Sequence, residues 1–485
     1  MLKGNTMAGE TSPLTQRPGG GGGLHPIFAV VFALNYMMGS GYLTLPKAYA
    51  DASLAIGVGM TCVMALGACV SAECILDAMD RAAWIVAARG HPARGGSFYR
   101  LALRDDARSP VLPTRPQVEA PRPAQLPDLC SLFLGDFGNR AYVFMLSSFM
   151  VGSMWCYAAI FGQSLVTHLG EPFGPGSYAA YVAVFAAMVV PLSLQDLSDQ
   201  KNTQALLAVG RQVMLVAMVV TSIGCLASQG PVEPMPARPE PWTGVAALAP
   251  VVAFSVTLHH SVPQIVAPVD ATQSPFALNC VFRGAFAAAA VIYVLFAAPV
   301  AKLFGRATES ASNLDWATYH HVSDPLDPND ALKVALASGL GQFVVLYPAL
   351  NVVATYPLNA ITFGDALMAT FREHCTTVPD GRANDAPPSR AQTKAFRLLA
   401  GVPPLVGAAL VSDISAITGV TGCFGLAMCA VLPGLLAIRA QKVAPGPTPH
   451  ASCLNGPKAA VMLALCGTLL TASALGAALH IPGLE

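Results

Sequence analysis

The sequence predicts an all-α integral membrane protein of about eleven transmembrane helices. Three observations carry that prediction. First, 54% of the 485 residues are hydrophobic and only 11% are charged, against roughly 25% charged in an average soluble domain. So little charge cannot cover a water-exposed surface of this size. Second, the apolar residues gather into runs of about 20, the length that crosses a hydrocarbon core about 30 Å thick. Third, the chain holds 43 Gly and 39 Pro, and membrane helices tolerate both better than soluble helices do. A soluble enzyme, a nucleic-acid binder and a secreted disulfide scaffold are thereby excluded. The net charge of zero names no partner; the lipid bilayer is the one the composition demands.

The runs follow in order. Residues 1–25 are polar, end near the glycine run Gly19 to Gly23, and read as a flexible tail without the charged start and cleavage site of a signal peptide. The expected spans are 26–50, 54–78, 140–166, 178–195, 203–227, 244–268, 281–301, 333–368, 396–412, 414–438 and 458–480. The ninth and tenth are divided only by Ser412 and Asp413. Together they make one transmembrane domain over 26–480. Between the spans, 81–139 carries arginines and a proline cluster from Pro110 to Pro127 and reads as a disordered loop. Residues 302–332 and the polar linker 371–395 also lie outside the membrane.

Lys and Arg fix an expected orientation, because cytoplasmic loops hold the excess. With the N-terminus inside, the 1–25 tail and the 81–139 and 371–395 loops are cytoplasmic and hold most of the basic residues. The 302–332 loop and residues 481–485 are then extracytoplasmic. Five spans make an odd number of crossings, so spans one to five and six to ten can form an inverted pair. The twelve cysteines lie mostly in apolar runs without zinc spacing and read as packing residues.

Two segments interrupt their spans. In the first, Asn35-Tyr36-Met37-Met38-Gly39-Ser40-Gly41-Tyr42-Leu43-Thr44-Leu45-Pro46 sets two glycines around a serine with a proline following. Helix propensity is poor there and a break is expected. A break frees backbone N–H groups at a positive dipole end, which suits an anion such as a substrate carboxylate. Close helix packing at a small-residue face is the other reading. In the sixth, Phe254-Ser255-Val256-Thr257-Leu258-His259-His260-Ser261-Val262-Pro263 combines polar groups with a proline. His259 is an ion-coupling candidate, since ionisable groups at this depth are costly to bury. A hydrogen-bonded structural pair is the alternative for both histidines. Paired interruptions at matching positions of two halves are the sequence pointer to a transporter's binding site.

The stretch from Asn35 to Pro46 resembles the first-helix signature of the amino acid/auxin permease family, within the amino acid-polyamine-organocation superfamily. Phe254 to Pro263 is similar to that family's sixth helix. Tyr356-Pro357-Leu358 and the run from Thr418-Gly419 to Leu432-Pro433 are similar to its eighth and tenth. The resemblance implies a leucine-transporter-like fold, a 5+5 inverted repeat plus one helix with helices 1 and 6 broken. It implies secondary active amino acid transport coupled to a proton or a sodium ion, with no other cofactor and no metal beyond a sodium site. Gly39, Ser40 and Gly41 would hold the substrate carboxylate, and Phe254, Ser255 and Thr257 would face its amino group and side chain. Asn35, with Asn351 or Thr355 from the eighth helix, would form the ion site. Val256 departs from the pattern, standing where an aromatic residue is common.

Other polar residues have plainer readings. Arg211 in the fifth span is expected to snorkel to the interface, with neutralising a carboxylate or gating as the alternative. Glu73, Asp77 and Asp80 are read as interfacial, and Asp365 and Arg372 as lying at or beyond the inner face. Gln163 and Tyr157 are cavity candidates, and Trp155 a packing residue. A membrane enzyme is disfavoured, because His259-His260 and His320-His321 form no repeated His box. A receptor-like amino acid sensor and a carrier of another organic acid share the same binding logic and stay open, as do the plasma membrane and a vacuole-like membrane.

Overall fold

The computed structural model describes residues 26–88, 125–195, 201–235, 241–267, 269, 275–318, 331–375 and 388–478. The tail 1–25, the middle of the expected 81–139 loop and the C-terminal residues 481–485 lie outside them. Nine helices among the described residues are long and apolar enough to cross a bilayer, and a bent pair supplies a tenth span. The pair is α1 (Pro26–Met37) and α2 (Leu45–Ala52, entered through a 3-10 turn at Gly41–Thr44), with a bend of 56° between its halves.

The second span, α3 (Leu54–Ala88), and the third, α4 (Leu126–Leu169), both run further than the apolar runs did. The expected 81–139 loop is therefore helical at each end. On α3 the extension is held by acids that are paired within the protein. Glu73 and Asp77 are fully buried, and a buried carboxylate persists only when paired. Glu73 accepts from Arg283 Nε at 2.6 Å and Ser452 Oγ at 2.5 Å. Asp77 accepts two bonds from Arg81, at 2.9 and 3.0 Å, and one from Thr448 Oγ1 at 2.5 Å. Asp80 accepts from His450 Nδ1 at 2.8 Å. Together they clamp the 444–456 turn onto the end of α3. On α4 the first turn is fixed by a reciprocal capping box between Gln125 and Asp128, and the helix kinks at Gly135, whose φ is +73°.

The remaining spans are α5 (Ser177–Ser193), α6 (Lys201–Ser228), the broken sixth span α7 (Pro241–Val256) with α8 (Val262–Val266), α9 (Pro275–Phe304) and α10 (Ala331–Cys375). Then come α11 (Arg390–Leu410), α12 (Ile414–Leu426), α13 (Leu432–Val443) and α14 (Pro457–Ala478). Helix α11 fills the expected ninth span but is not among those apolar enough to cross alone. It carries Arg390, Lys394 and Arg397, and Arg397 forks onto Asp365 of α10 at 3.0 and 3.1 Å. The narrow boundary after α11 holds, because Asp413 caps α12, its Oδ1 accepting from the N–H of Ser415 at 2.9 Å and Ala416 at 3.2 Å. Trp155 Nε1 and Gln163 Nε2 donate to the Val411 and Ser412 carbonyls of that turn. Gln163 is thus a turn fastener rather than a cavity residue.

The sixth span is central: it is mostly buried within the protein, whereas α14 is mostly exposed. Peripheral helices show apolar ridges outward, such as Leu206, Val209, Val213, Val216 and Val220 on α6, the surface expected against lipid tails. At the end of the bundle opposite the N-terminus, a 3-10 segment, Ser312–Thr318, plugs the space above the first span. Asn313 Nδ2 donates to the Val345 carbonyl at 3.1 Å and Trp316 Nε1 to Thr221 Oγ1 at 3.2 Å, tying the plug to the eighth and fifth spans. Asp315 within it is buried, and that burial raises its pKa well above the ordinary carboxylate value.

Candidate functional site

The first span stops being helical at Met38, and the chain restarts at Gly41. Gly39 N–H turns back to the Met37 carbonyl at 2.8 Å and Leu43 N–H bonds the Ser40 carbonyl at 3.1 Å. Among the described residues, no acceptor meets the N–H groups of Ser40, Gly41 and Tyr42. These are the orphan donors of a helix N-terminus, and they sit at its positive end. Ser40 Oγ is buried without a hydrogen-bond partner, with the Cys156 thiol beside it.

The glycines are required by neighbours. A Cβ on Gly41 would lie 2.5 Å from Cδ1 of Phe254 and 3.4 Å from Ser255 Oγ. A Cβ on Gly39 would lie 3.3 Å from the Tyr157 hydroxyl. The sixth span meets the first-span break there, which unites Gly39, Ser40, Gly41, Phe254 and Ser255 as the sequence predicts.

The sixth-span break spends two hydroxyls locally and leaves Ser261 Oγ, His259 Nδ1 and His260 Nδ1 buried without partners. Ser255 Oγ donates to the Val251 carbonyl at 3.0 Å and Thr257 Oγ1 to the Ala253 carbonyl at 2.6 Å, so both hydroxyls spend their protons on their own helix. Thr257 turns toward the tenth span, where a Cβ on Gly425 would lie 3.2 Å from its Oγ1. His259 is fully buried; its Nε2 meets the Ala68 carbonyl at 3.0 Å, and its ring stacks on Phe286 with centroids 5.9 Å apart. A carbonyl partner requires a donor, so Nε2 carries the proton. His259 points into the α3 and α9 packing rather than the break. His260 instead faces the first span, its Nε2 3.3 Å from the Tyr36 hydroxyl, and it lies over Phe149 at 6.1 Å.

One residue that the sequence reading passed over joins the two breaks. Tyr293, on α9, is completely buried and its hydroxyl contacts the Ser255 carbonyl at 2.8 Å and the Met37 carbonyl at 3.3 Å. It covers the open carbonyl end of each broken helix with a single group. A tyrosine inside an otherwise alanine-rich apolar run, Ala287 to Ala290 with Tyr293 following, was the available signal.

Arg211 is the largest departure from expectation. It lies ten residues into α6, about 15 Å along the helix, yet it does not snorkel. Only 7% of it is exposed, and its guanidinium donates to Asn35 Oδ1. Its Nε has no partner. Tyrosines 42, 157, 293 and 347 are the titratable groups that feel its charge. An ionised group at the middle of a span costs roughly 2.5–3.5 kcal/mol to place, so its position is chosen against a penalty. Arg211, Gly39, Ser40, Tyr42, Tyr347 and Asn351 line a cavity of about 10 Å³, room for about one water. Asn351 thus reaches the site, whereas Thr355 donates to the Asn351 carbonyl at 2.9 Å and is not among the lining residues. Asn35 is committed to the guanidinium.

Comparison with known proteins places this geometry. The family described as transmembrane amino acid transporter protein matches residues 25–445. The chain belongs to that family. Human Transmembrane protein 104 is 21% identical over 463 residues, covering 85% of this chain and 87% of its own length. The Dictyostelium discoideum homolog is 22% identical over 468 residues, covering 86% and 88%. Among solved structures, the Eremococcus coleocola manganese transporter bound to an aromatic bis-isothiourea compound aligns with a TM-score of 0.52 at 13% identity, over 94% of this chain and 92% of its own. A histidine-to-alanine mutant of the same transporter aligns with a TM-score of 0.52 at 11% identity, over 94% and 87%. These neighbours share the leucine-transporter-like fold, and the family and the neighbours are transporters rather than enzymes. The chain is accordingly a multi-pass membrane transporter with its first and sixth spans broken.

Proposed function

We propose that this protein is a secondary active amino acid transporter that works by alternating access and is coupled to protons. The observation that carries the reading is the first-span break. Its free N–H groups and the unpartnered Ser40 hydroxyl face a small cavity, with the sixth-span break against them. Such a break is a ready anion site for a carboxylate, and the family name agrees with an amino acid as its bearer.

Sodium fits less well than a proton. Asn35 Oδ1 is already held by the Arg211 guanidinium, so a sodium ion placed there would meet a fixed positive charge. Asn351 lines the same cavity as Arg211 and meets the same repulsion. The N-terminus is assigned to the cytoplasm by the basic loops, and either the plasma membrane or a vacuole-like membrane would suit the coupling.

Uptake of labelled amino acids into proteoliposomes tests the reading, with an imposed proton gradient, then a sodium gradient, then neither. Accumulation only under the proton gradient is expected. Accumulation driven by sodium alone would overturn the coupling, and binding without any accumulation would favour a sensor on the same fold.

A further inference from the structure

We infer that the substrate of this site carries a net negative charge, and that Arg211 is the counter-charge that selects it. The inference rests on the transporter reading and goes further, because it names the class of molecule carried.

The first observation is that the cavity is lined by donors. The N–H groups of Ser40, Gly41 and Tyr42 have no acceptor, and Ser40 Oγ has no partner. The second is independent of the helix end. Arg211, from a different span, is more than nine-tenths buried, lines the same cavity and keeps its Nε N–H unpaired there. Its one side-chain partner is the neutral Asn35. No carboxylate lines the cavity: Glu73, Asp77 and Asp80 are held in the clamp on the 444–456 turn, Asp51 by Lys47, and Asp365 by Arg397. A buried guanidinium without an anion is an incomplete pair, and a planar fork beside free backbone N–H groups matches a carboxylate.

The third observation concerns the other end of a zwitterion. An ammonium group needs acceptors, and at a pair of broken helices the exposed carbonyls would supply them. Here Tyr293 covers the Met37 and Ser255 carbonyls. The cavity lining therefore holds one cation and no carboxylate to balance it or to receive an ammonium group, which favours a carboxylate anion over an electrically neutral amino acid. An acidic amino acid and a small carboxylic acid without an amino group share that chemistry.

The test uses the full-length protein in detergent and in proteoliposomes at pH 7. Thermal protection is read for lactate, its neutral amide lactamide, glutamate, alanine and chloride. Lactate or glutamate should protect at concentrations at least about tenfold lower than lactamide or alanine do. Protection by glutamate but not lactate identifies the acidic amino acid as the source, and the reverse identifies the simple acid. Arg211→Gln should abolish the preference, whereas Arg211→Lys should retain part of it. If Arg211→Gln does not fold, the lactate and lactamide comparison on the unaltered protein still decides. Alanine protecting as well as either anion, or chloride alone protecting, overturns the inference. Because protection is read without transport, failure to accumulate any amino acid would count against the transport reading alone.

Discussion

The two broken spans use the same kinds of residue and differ in which groups they satisfy locally. In the first span, Gly39, Ser40 and Gly41 leave backbone N–H groups and a hydroxyl unpaired beside a cavity. In the sixth, Ser255 and Thr257 fold their hydroxyls onto their own carbonyls and His259 Nε2 is bound to Ala68, while Ser261 Oγ and His260 Nδ1 stay unpaired. Small residues produce the difference. Gly39 and Gly41 have no side chain with which to satisfy the backbone, and they admit Tyr157 and Phe254 instead. Ser255 and Thr257 carry their own short-range donors. Which groups a helix break leaves free therefore depends on which of its residues can satisfy it locally. The first break reads as the binding element and the sixth as the surface against which it is formed.

The sharpest way to break this contrast is to fill the space at Gly41. Gly41→Val places carbon where the Phe254 ring already lies, 2.5 Å from the position of the new Cβ. Overpacking of this kind costs about 1–3 kcal/mol, and it falls on the binding element. Uptake should fall about 10- to 100-fold while the protein still inserts and elutes as a single species. Gly41→Ala combined with Phe254→Ala should recover part of the activity, since the clash is with that ring. Normal transport by Gly41→Val would remove the first break from the site.

Tyr293→Phe comes next. It uncovers the Ser255 carbonyl, while the Met37 carbonyl keeps the Gly39 N–H, and an unsatisfied buried group costs about 1–3 kcal/mol. A lower melting temperature in detergent is expected. If the covered carbonyl restricts ammonium binding, the variant should also accept neutral amino acids more readily. An unchanged melting temperature would mean that the two breaks are not held together through this hydroxyl.

The plug over the first break supplies a third, pH-dependent probe. Burial raises the Asp315 pKa above its unfolded value. Protonation is thus favoured by folding, and this contribution to stability is complete below the unfolded pKa and lost as pH rises through the folded one. The protein should melt at a lower temperature at pH 7 than at pH 5. Asp315→Asn should flatten that dependence and raise the melting temperature at pH 7. A slope unchanged by the substitution would assign the pH response to other groups.

Much of this fold is legible in the sequence because bilayer thickness and helix rise fix the length of an apolar run. The same argument misplaces ends that hydrophobicity does not control. Helix α3 reaches Ala88 because Asp77 and Asp80 find partners in Arg81, Thr448 and His450, and Thr448 and His450 are more than 350 residues away along the chain. Pairing at that separation leaves no local pattern. The first-span site was legible because Gly-Ser-Gly before a proline has a local consequence. Arg211 was visible but misjudged: snorkelling is the usual fate of a long basic side chain, and only the position of Asn35 one span away shows that it turns inward. Tyr293 resembles a packing aromatic until the two carbonyls beneath its hydroxyl are located.

The smallest effect is expected at the residues that the family resemblance offers most readily as ligands. Ser255→Ala and Thr257→Val remove hydroxyls whose protons already go to the Val251 and Ala253 carbonyls. Each substitution removes one local hydroxyl bond and should change stability by about 1 kcal/mol. If those hydroxyls are spent locally, uptake should stay within about threefold of the unaltered protein. Ser40→Ala, by contrast, removes an unpaired hydroxyl at the open break, and should weaken substrate binding with little change in melting temperature. A larger loss at Thr257 than at Ser40 would reverse the assignment, making the sixth span the binding element and the first its support.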